Sequence, residues 1–204
     1  MSRPSMRLSR FIAAMAIPVS VLGAGGVVWH SSYAAFSAET RNSGNSWGTG
    51  TVALTDDDSG TARFNVTSLV PGQTDTRCIR VTATSSVAGT VKLYIVNSVT
   101  STAALENHIV LTVRQGDGGT FASCTGFVAD STIISAQTLA AATAAHSTYA
   151  TAAGSWVTTG DIAGEVKTYE FAWTFDATGL TQEQLDGLQG SHTGLDFEWE
   201  IQNN

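Results

Sequence analysis

Three of the four histidines, His108, His146 and His192, two cysteines and a run of three aspartates are the side chains whose chemistry has to be weighed first. Zinc is held by His, Cys and carboxylate groups in a tight tetrahedron, and catalytic zinc helices announce themselves as H-E-x-x-H. These histidines are scattered, and none stands in that motif. They read as polar residues at strand and helix ends. Asp56, Asp57 and Asp58 offer the oxygen ligands that suit Ca²⁺. They lack the spacing of a calcium loop and its late Glu, and with Ser59-Gly60 they read as the chemistry of a turn. Glu198 and Glu200 share one face of a strand. A glycosidase pair needs two carboxylates in distinct environments, and acids alternating along a solvated strand do not supply them. No G-x-S-x-G elbow and no Gly-rich phosphate loop occurs. The sequence therefore indicates no catalytic residue, no enzyme and no cofactor, while a Ca²⁺ or Zn²⁺ site stays open. Neither cysteine has a His close in sequence, and an even pair in an exported chain favours a disulfide, Cys78–Cys124.

Export is indicated by the N-terminus. Arg3, Arg7 and Arg10 precede an apolar run, Phe11 to Val28, broken by Pro18 and Ser20. Ser32-Tyr33-Ala34 places small residues where a signal peptidase reads them, with the cut between Ala34 and Ala35. The run is long for a signal core, so an uncleaved anchor is the competing reading and the one route to a membrane. Cleavage removes those three Arg and no acid. Ten basic residues become seven against 17 acidic, a net charge of −10. Such a surface repels phosphate backbones, which sets nucleic acid aside as a partner.

The remaining chain is dominated by period two. Thr51–Thr55 and Ala62–Val66 alternate apolar and polar residues on either side of the Asp-rich turn, which predicts a hairpin. Thr76–Thr84, Thr90–Val96 and His108–Val113 alternate likewise. Within the first of these, Cys78 falls opposite Ile79 and Val81, so the bridge belongs on an outer face unless a bulge shifts the register. Residues 120 to 165 are less regular. Ala136–Tyr149 carries helix formers, and Gly154–Glu165 reads as a loop. Tyr169–Phe175 places four aromatic residues on one face. Leu195–Ile201 places Leu195, Phe197, Trp199 and Ile201 on one face and acids on the other. Aromatic-in, polar-out strands define a half-solvated antiparallel sheet, and make Trp173 and Trp199 core residues rather than a sugar platform. Between them Thr181, Gln184 and Gly190 mark a short capped helix. The sum is an all-β fold: a jelly-roll-type two-sheet antiparallel sandwich with one or two short helices in crossovers. It divides into a signal peptide at 1–34, an N-terminal extension at 35–47 and one sandwich domain at 48–204.

The stretches "AAFSAETRNSGNSW", "TGTVALTDDDSGTARFNV", "LVPGQTDTRCIRVT", "EVKTYEFAWTF" and "LQGSHTGLDFEWEIQN" resemble the TasA/camelysin family of exported Gram-positive surface proteins. The resemblance runs from Ala35 to Asn204 and is weakest over 99 to 165. It implies a jelly-roll domain whose signal is cut by a SipW-type signal peptidase. It also implies a secreted subunit of extracellular fibres in a biofilm matrix or at the cell surface, assembling with its own copies and, in some members, with a matrix or anchor protein. In such fibres the N-terminal segment of one subunit completes the sheet of the next. That makes Ala35, Phe36, Ser37 and Ala38 the candidate donor strand. Camelysin-like members are labelled cell-surface metallopeptidases, a label the missing zinc motif does not support here. A monomeric surface-displayed binding module is the third expectation.

Overall fold

The computed structural model describes residues 37–40, for the backbone only, and 52–62, 64–66 and 68–203. By contact density the chain divides into Met1–Phe36 and Ser37–Asn204. Every described residue belongs to the second unit. The signal cut at Ala34–Ala35 and the donor residues Ala35 and Phe36 lie outside the described residues.

Among the described residues, nine strands make two antiparallel sheets. They are β1 (Ser37–Thr40), β2 (Val52–Asp56), β3 (Thr74–Ser85), β4 (Gly89–Val99), β5 (Ile109–Asp117), β6 (Val128–Thr138), β7 (Ala153–Thr158), β8 (Glu165–Phe175) and β9 (Gly194–Asn203). One sheet has the order β1-β9-β4-β7 and the other β2-β3-β8-β5-β6. With β2 set aside as an added edge, this is the jelly-roll order. β1 pairs β9, β3 pairs β8, β4 pairs β7 and β5 pairs β6, all antiparallel, as if one long hairpin had been rolled up. The expected all-β sandwich is the fold observed.

The inward rows are those the alternation marks. Ile79, Val81 and Ala83 of β3, Val91, Leu93 and Ile95 of β4, and Leu111 and Val113 of β5 are buried. Tyr169, Phe171, Trp173 and Phe175 of β8 are all buried. Across the interior Phe171 stacks on Phe197 at 4.4 Å and Tyr169 on Trp199 at 5.4 Å between ring centroids. Burying each such ring stabilises by roughly 2–3 kcal/mol, so these two rows carry much of the core.

Three expectations need correcting. The second arm of the predicted hairpin, Ala62–Val66, forms no strand at its described residues, 62 and 64–66. β2 pairs instead with β3, Val52 opposite Ser85 and Asp56 opposite Val81. Phe64 leaves the edge to meet Trp173 edge-on at 6.3 Å, which holds the 57–73 connection over the end of the sandwich. The stretch read as irregular contains β6 and β7. Three register shifts along the β5–β6 pairing blur the alternation of β6. The helix expected over 136–149 is shorter, α1 (Leu139–Ala145), capped by the Thr138 hydroxyl on the Ala141 N–H. The second helix, α2 (Gln182–Gly187), forms as the sequence indicates. Thr181 and Gln184 bond each other's backbone N–H in a capping box.

Candidate functional site

Two features of the described residues stand out, the pairing of β9 and a cleft near its start. β9 is paired along its length with β4 on one side. On the other, β1 lies against its second half: Ser37 lies opposite Gln202, Ala38 opposite Ile201, Glu39 opposite Glu200 and Thr40 opposite Trp199. Residues 41–51, which follow β1, lie outside the described residues, and among those described nothing pairs with that side of β9 from Gly194 to Glu198.

A cleft of about 410 Å³ opens beside it at the end of the sandwich. Its wall is apolar, formed by Phe64, Leu105, Leu139, Trp173, Leu195 and Phe197, and acids such as Asp58 and Asp196 stand in its lining. The sequence builds it from parts remote from one another. The 57–73 connection supplies one lip, the start of β9 the other, and α1 the floor. The Trp173 indole N–H is buried with no hydrogen-bond partner among the described residues. Sequence reasoning assigned Trp173 to the core, which is right, but missed that the same ring lines a cleft. Only the long-range placement of Phe64 and Leu195 reveals it.

Two of the acids of β9, Glu198 and Glu200, are not solvated, contrary to expectation, while Asp196 is exposed. Glu198 is 3% and Glu200 7% exposed. Tyr94, across the strand on β4, donates its hydroxyl to both, at 2.6 Å to Glu198 and 3.1 Å to Glu200. Burial, then the adjoining Glu198, pushes the Tyr94 hydroxyl far above its usual pKa, so it remains a donor at any physiological pH. Two acceptors sharing one donor tie β9 to β4.

The Asp-rich turn is structural in the arrangement seen. Asp57 accepts from the Arg80 N–H at 2.8 Å and from the Phe121 N–H at 2.7 Å. Asp58 is buried and accepts from the Gly60 N–H at 2.7 Å. Burial and the neighbouring Asp58 push Asp56 up to about 6. The turn therefore ties β2 to β3 and to the loop after β5, rather than lying in water.

That loop crosses the outer face of the five-stranded sheet and is fastened by the Cys78–Cys124 disulfide. Cys78 points outward from β3, as its phase requires, and is buried because the loop covers it. Glu170 beneath it pairs with Arg114, and the Arg80 guanidinium donates to the Gly119 carbonyl. Among the described residues, the one group of three metal-type ligands within 4.8 Å is Cys78, Cys124 and Glu170, whose sulfurs are bonded to each other. His108 precedes β5, His146 follows α1 and His192 precedes β9, so the fold does not gather them. Among the described residues no helix is long and apolar enough to cross a membrane; the Phe11–Val28 run lies outside them.

Fold and site together define a jelly-roll sandwich with a short edge strand, β1, and a cleft at one end. The sequence matches no protein-family model and no curated protein significantly. Function is argued from the site alone.

Proposed function

We propose that the chain is an exported structural subunit that builds extracellular fibres head to tail by exchanging its N-terminal strand between copies. One observation carries this reading: the position and direction of β1. It is four residues long and sits at a sheet edge, where β9 is its one paired neighbour among the described strands. A short edge strand leaves its sheet at small cost. The β1 of a second copy can restore the same four pairings, so exchange conserves the hydrogen bonds.

Direction then sets the geometry of assembly. β9 runs from Gly194 beside the cleft to Asn203 at the far end, and β1 runs opposite to it. A chain seated on β9 therefore leaves past Thr40 toward the cleft end. β2 begins at the far end, with Val52 opposite Ser85. An exchanged β1 thus joins the cleft end of the acceptor to the far end of the donor. The connection 41–51 reaches roughly 40 Å when extended, enough to cross that junction. The contact is heterologous and does not close on itself, so it propagates as a filament. The signal at 1–34 supplies the trigger. Held in a membrane the N-terminus is not free to exchange, and cleavage after Ala34 by a SipW-type peptidase releases Ala35 and Phe36 with β1. Secretion keeps the product outside the cell, at the surface or in a matrix.

Electron microscopy of the mature chain at rising concentration tests the reading. Filaments are expected from residues 35–204 and monomers from a chain lacking 35–46. Filaments of normal length from the shortened chain would refute strand exchange.

A further inference from the structure

The apolar interior of the sandwich is divided. One cluster of buried side chains includes Ile79, Leu111 and Trp199, and a separate one includes Leu105, Ile109 and Trp173. All six of these residues line the cleft, so both clusters contribute to its wall. Phe64 and Leu139, which pack against both clusters, line it as well. The cleft is therefore an opening into the core and not a dent between surface loops. Its volume of about 410 Å³ falls within the range of small-molecule sites, roughly 300–1,000 Å³.

A few polar groups are set into this apolar wall. Trp173 is only 6% exposed, and its indole N–H has no acceptor among the described residues. Buried donors are almost always paired, and an oxygen on a bound molecule is the partner this one lacks. Asp196 lines the cleft from the start of β9 and is exposed. It accepts the Asn97 amide at 2.9 Å and pairs with no cation among the described residues. Asp58 and Glu198 add carboxylates to the lining, and His192 is the one described lining residue able to carry positive charge. The whole chain is acidic, with a formal net charge of −7. A concave site lined by one sign of charge draws in the other.

We infer that the cleft is a binding site for a small aromatic cation that also carries a carbonyl oxygen. Its ring packs against Phe64, Trp173 and Phe197, which gives the wall its aromatic character. Its oxygen accepts from the Trp173 indole N–H, and its charge stays at the mouth beside Asp196. Each of the three parts meets something the site offers. A fatty acid would suit the apolar wall equally well, but its carboxylate would face Asp58 and Asp196. A neutral apolar molecule would leave Asp196 without a counter-charge. Occupancy needs no second copy of the chain, so the site is the same in a monomer and in a fibre, and it does not depend on strand exchange.

Three probes that share a benzoyl group test it: benzoylcholine, a permanent cation, the neutral N-ethylbenzamide, and the anion hippurate. Each is titrated into the isotope-labelled chain from Ala35 onward while the indole N–H signals are followed by nuclear magnetic resonance. Benzoylcholine is expected to move the Trp173 indole signal and, at low salt, to bind about five-fold tighter than N-ethylbenzamide, the scale of one exposed charge pair. Hippurate should bind more weakly than either. High salt should shrink these differences. Asp196 is exposed, so Asp196→Asn and Asp196→Lys should both fold, which circular dichroism melts check. The first is expected to level benzoylcholine with the neutral probe, and the second to put hippurate ahead. A Trp173 signal that no probe moves at millimolar concentration overturns the site. Equal affinity for all three probes, or a preference for the cation that persists in Asp196→Lys, overturns the cation assignment.

Discussion

Tyr94 shows how one hydroxyl stabilises a sheet. Replacing it with Phe removes the donor that Glu198 and Glu200 share, while Glu200 keeps the Gln202 amide. A lost hydrogen bond to a charged group costs about 1.5–3 kcal/mol, so Tyr94→Phe is expected to lower the melting temperature by several degrees in calorimetry. Asp56 gives a pH signature. Its folded pKa of about 6 lies above the ordinary 3.8, so the folded state favours the protonated form. Its contribution to stability is full below pH 4 and is lost as the pH rises through 6. The carboxyl is half-exposed, so solvent screening reduces the effect to about 1 kcal/mol. Denaturant titrations from pH 4 to 7 should show that loss, and Asp56→Asn should flatten it. At this scale the cysteines were legible because an even pair in an exported chain points to one bond, and the phase of Cys78 places it on the outer face. The burial of Glu198 was not legible. Its cover is Tyr94, 104 residues away, and strand alternation alone shows acids facing water.

The elements that alternation announces are those with one face in the core. β3, β4, β5, β8 and β9 follow the sequence pattern because their inward rows pack against each other across the interior. β6 and β7 escaped notice for a physical reason. Both are edge strands with little to bury, and β6 slips its register three times against β5. The 57–73 connection misled in the opposite sense: Phe64 has the phase of a strand residue, yet it is spent on Trp173. Close approach between β5 and β6 can be measured directly. At Gly116 a Cβ would lie 2.0 Å from the Val128 carbonyl oxygen, which is backbone and has no side-chain freedom to yield. Gly116→Ala is therefore expected to cost about 3 kcal/mol in urea unfolding. Removing both sulfurs, as Cys78→Ser with Cys124→Ser, frees the loop over the outer face. On the chain-entropy view this costs about 4 kcal/mol, and the far-ultraviolet spectrum should still report a β protein when cold.

At the scale of the whole molecule, the rolled hairpin leaves one strand less committed than the rest. β1 is four residues long and sits at a sheet edge, and on the proposed reading it is the strand that passes between copies. The cleft was not readable in advance, because it brings together Phe64, Leu139, Trp173 and Leu195 from parts of the chain remote in sequence. On the proposed cleavage after Ala34, seven basic and 17 acidic side chains remain, and the resulting net charge of −10 keeps copies apart at low salt. The polymer should therefore form more readily as ionic strength rises, as light scattering can follow. Strand exchange is tested most directly through the register that β1 and β9 share, where Ser37 faces Gln202. Facing residues of an antiparallel pair lie within disulfide reach. One tagged mature chain carrying Ser37→Cys is mixed with an untagged chain carrying Gln202→Cys and oxidised under assembly conditions. The account predicts a disulfide between the two different copies. No link between copies, together with ready intramolecular closure in a single chain carrying both changes, would contradict it.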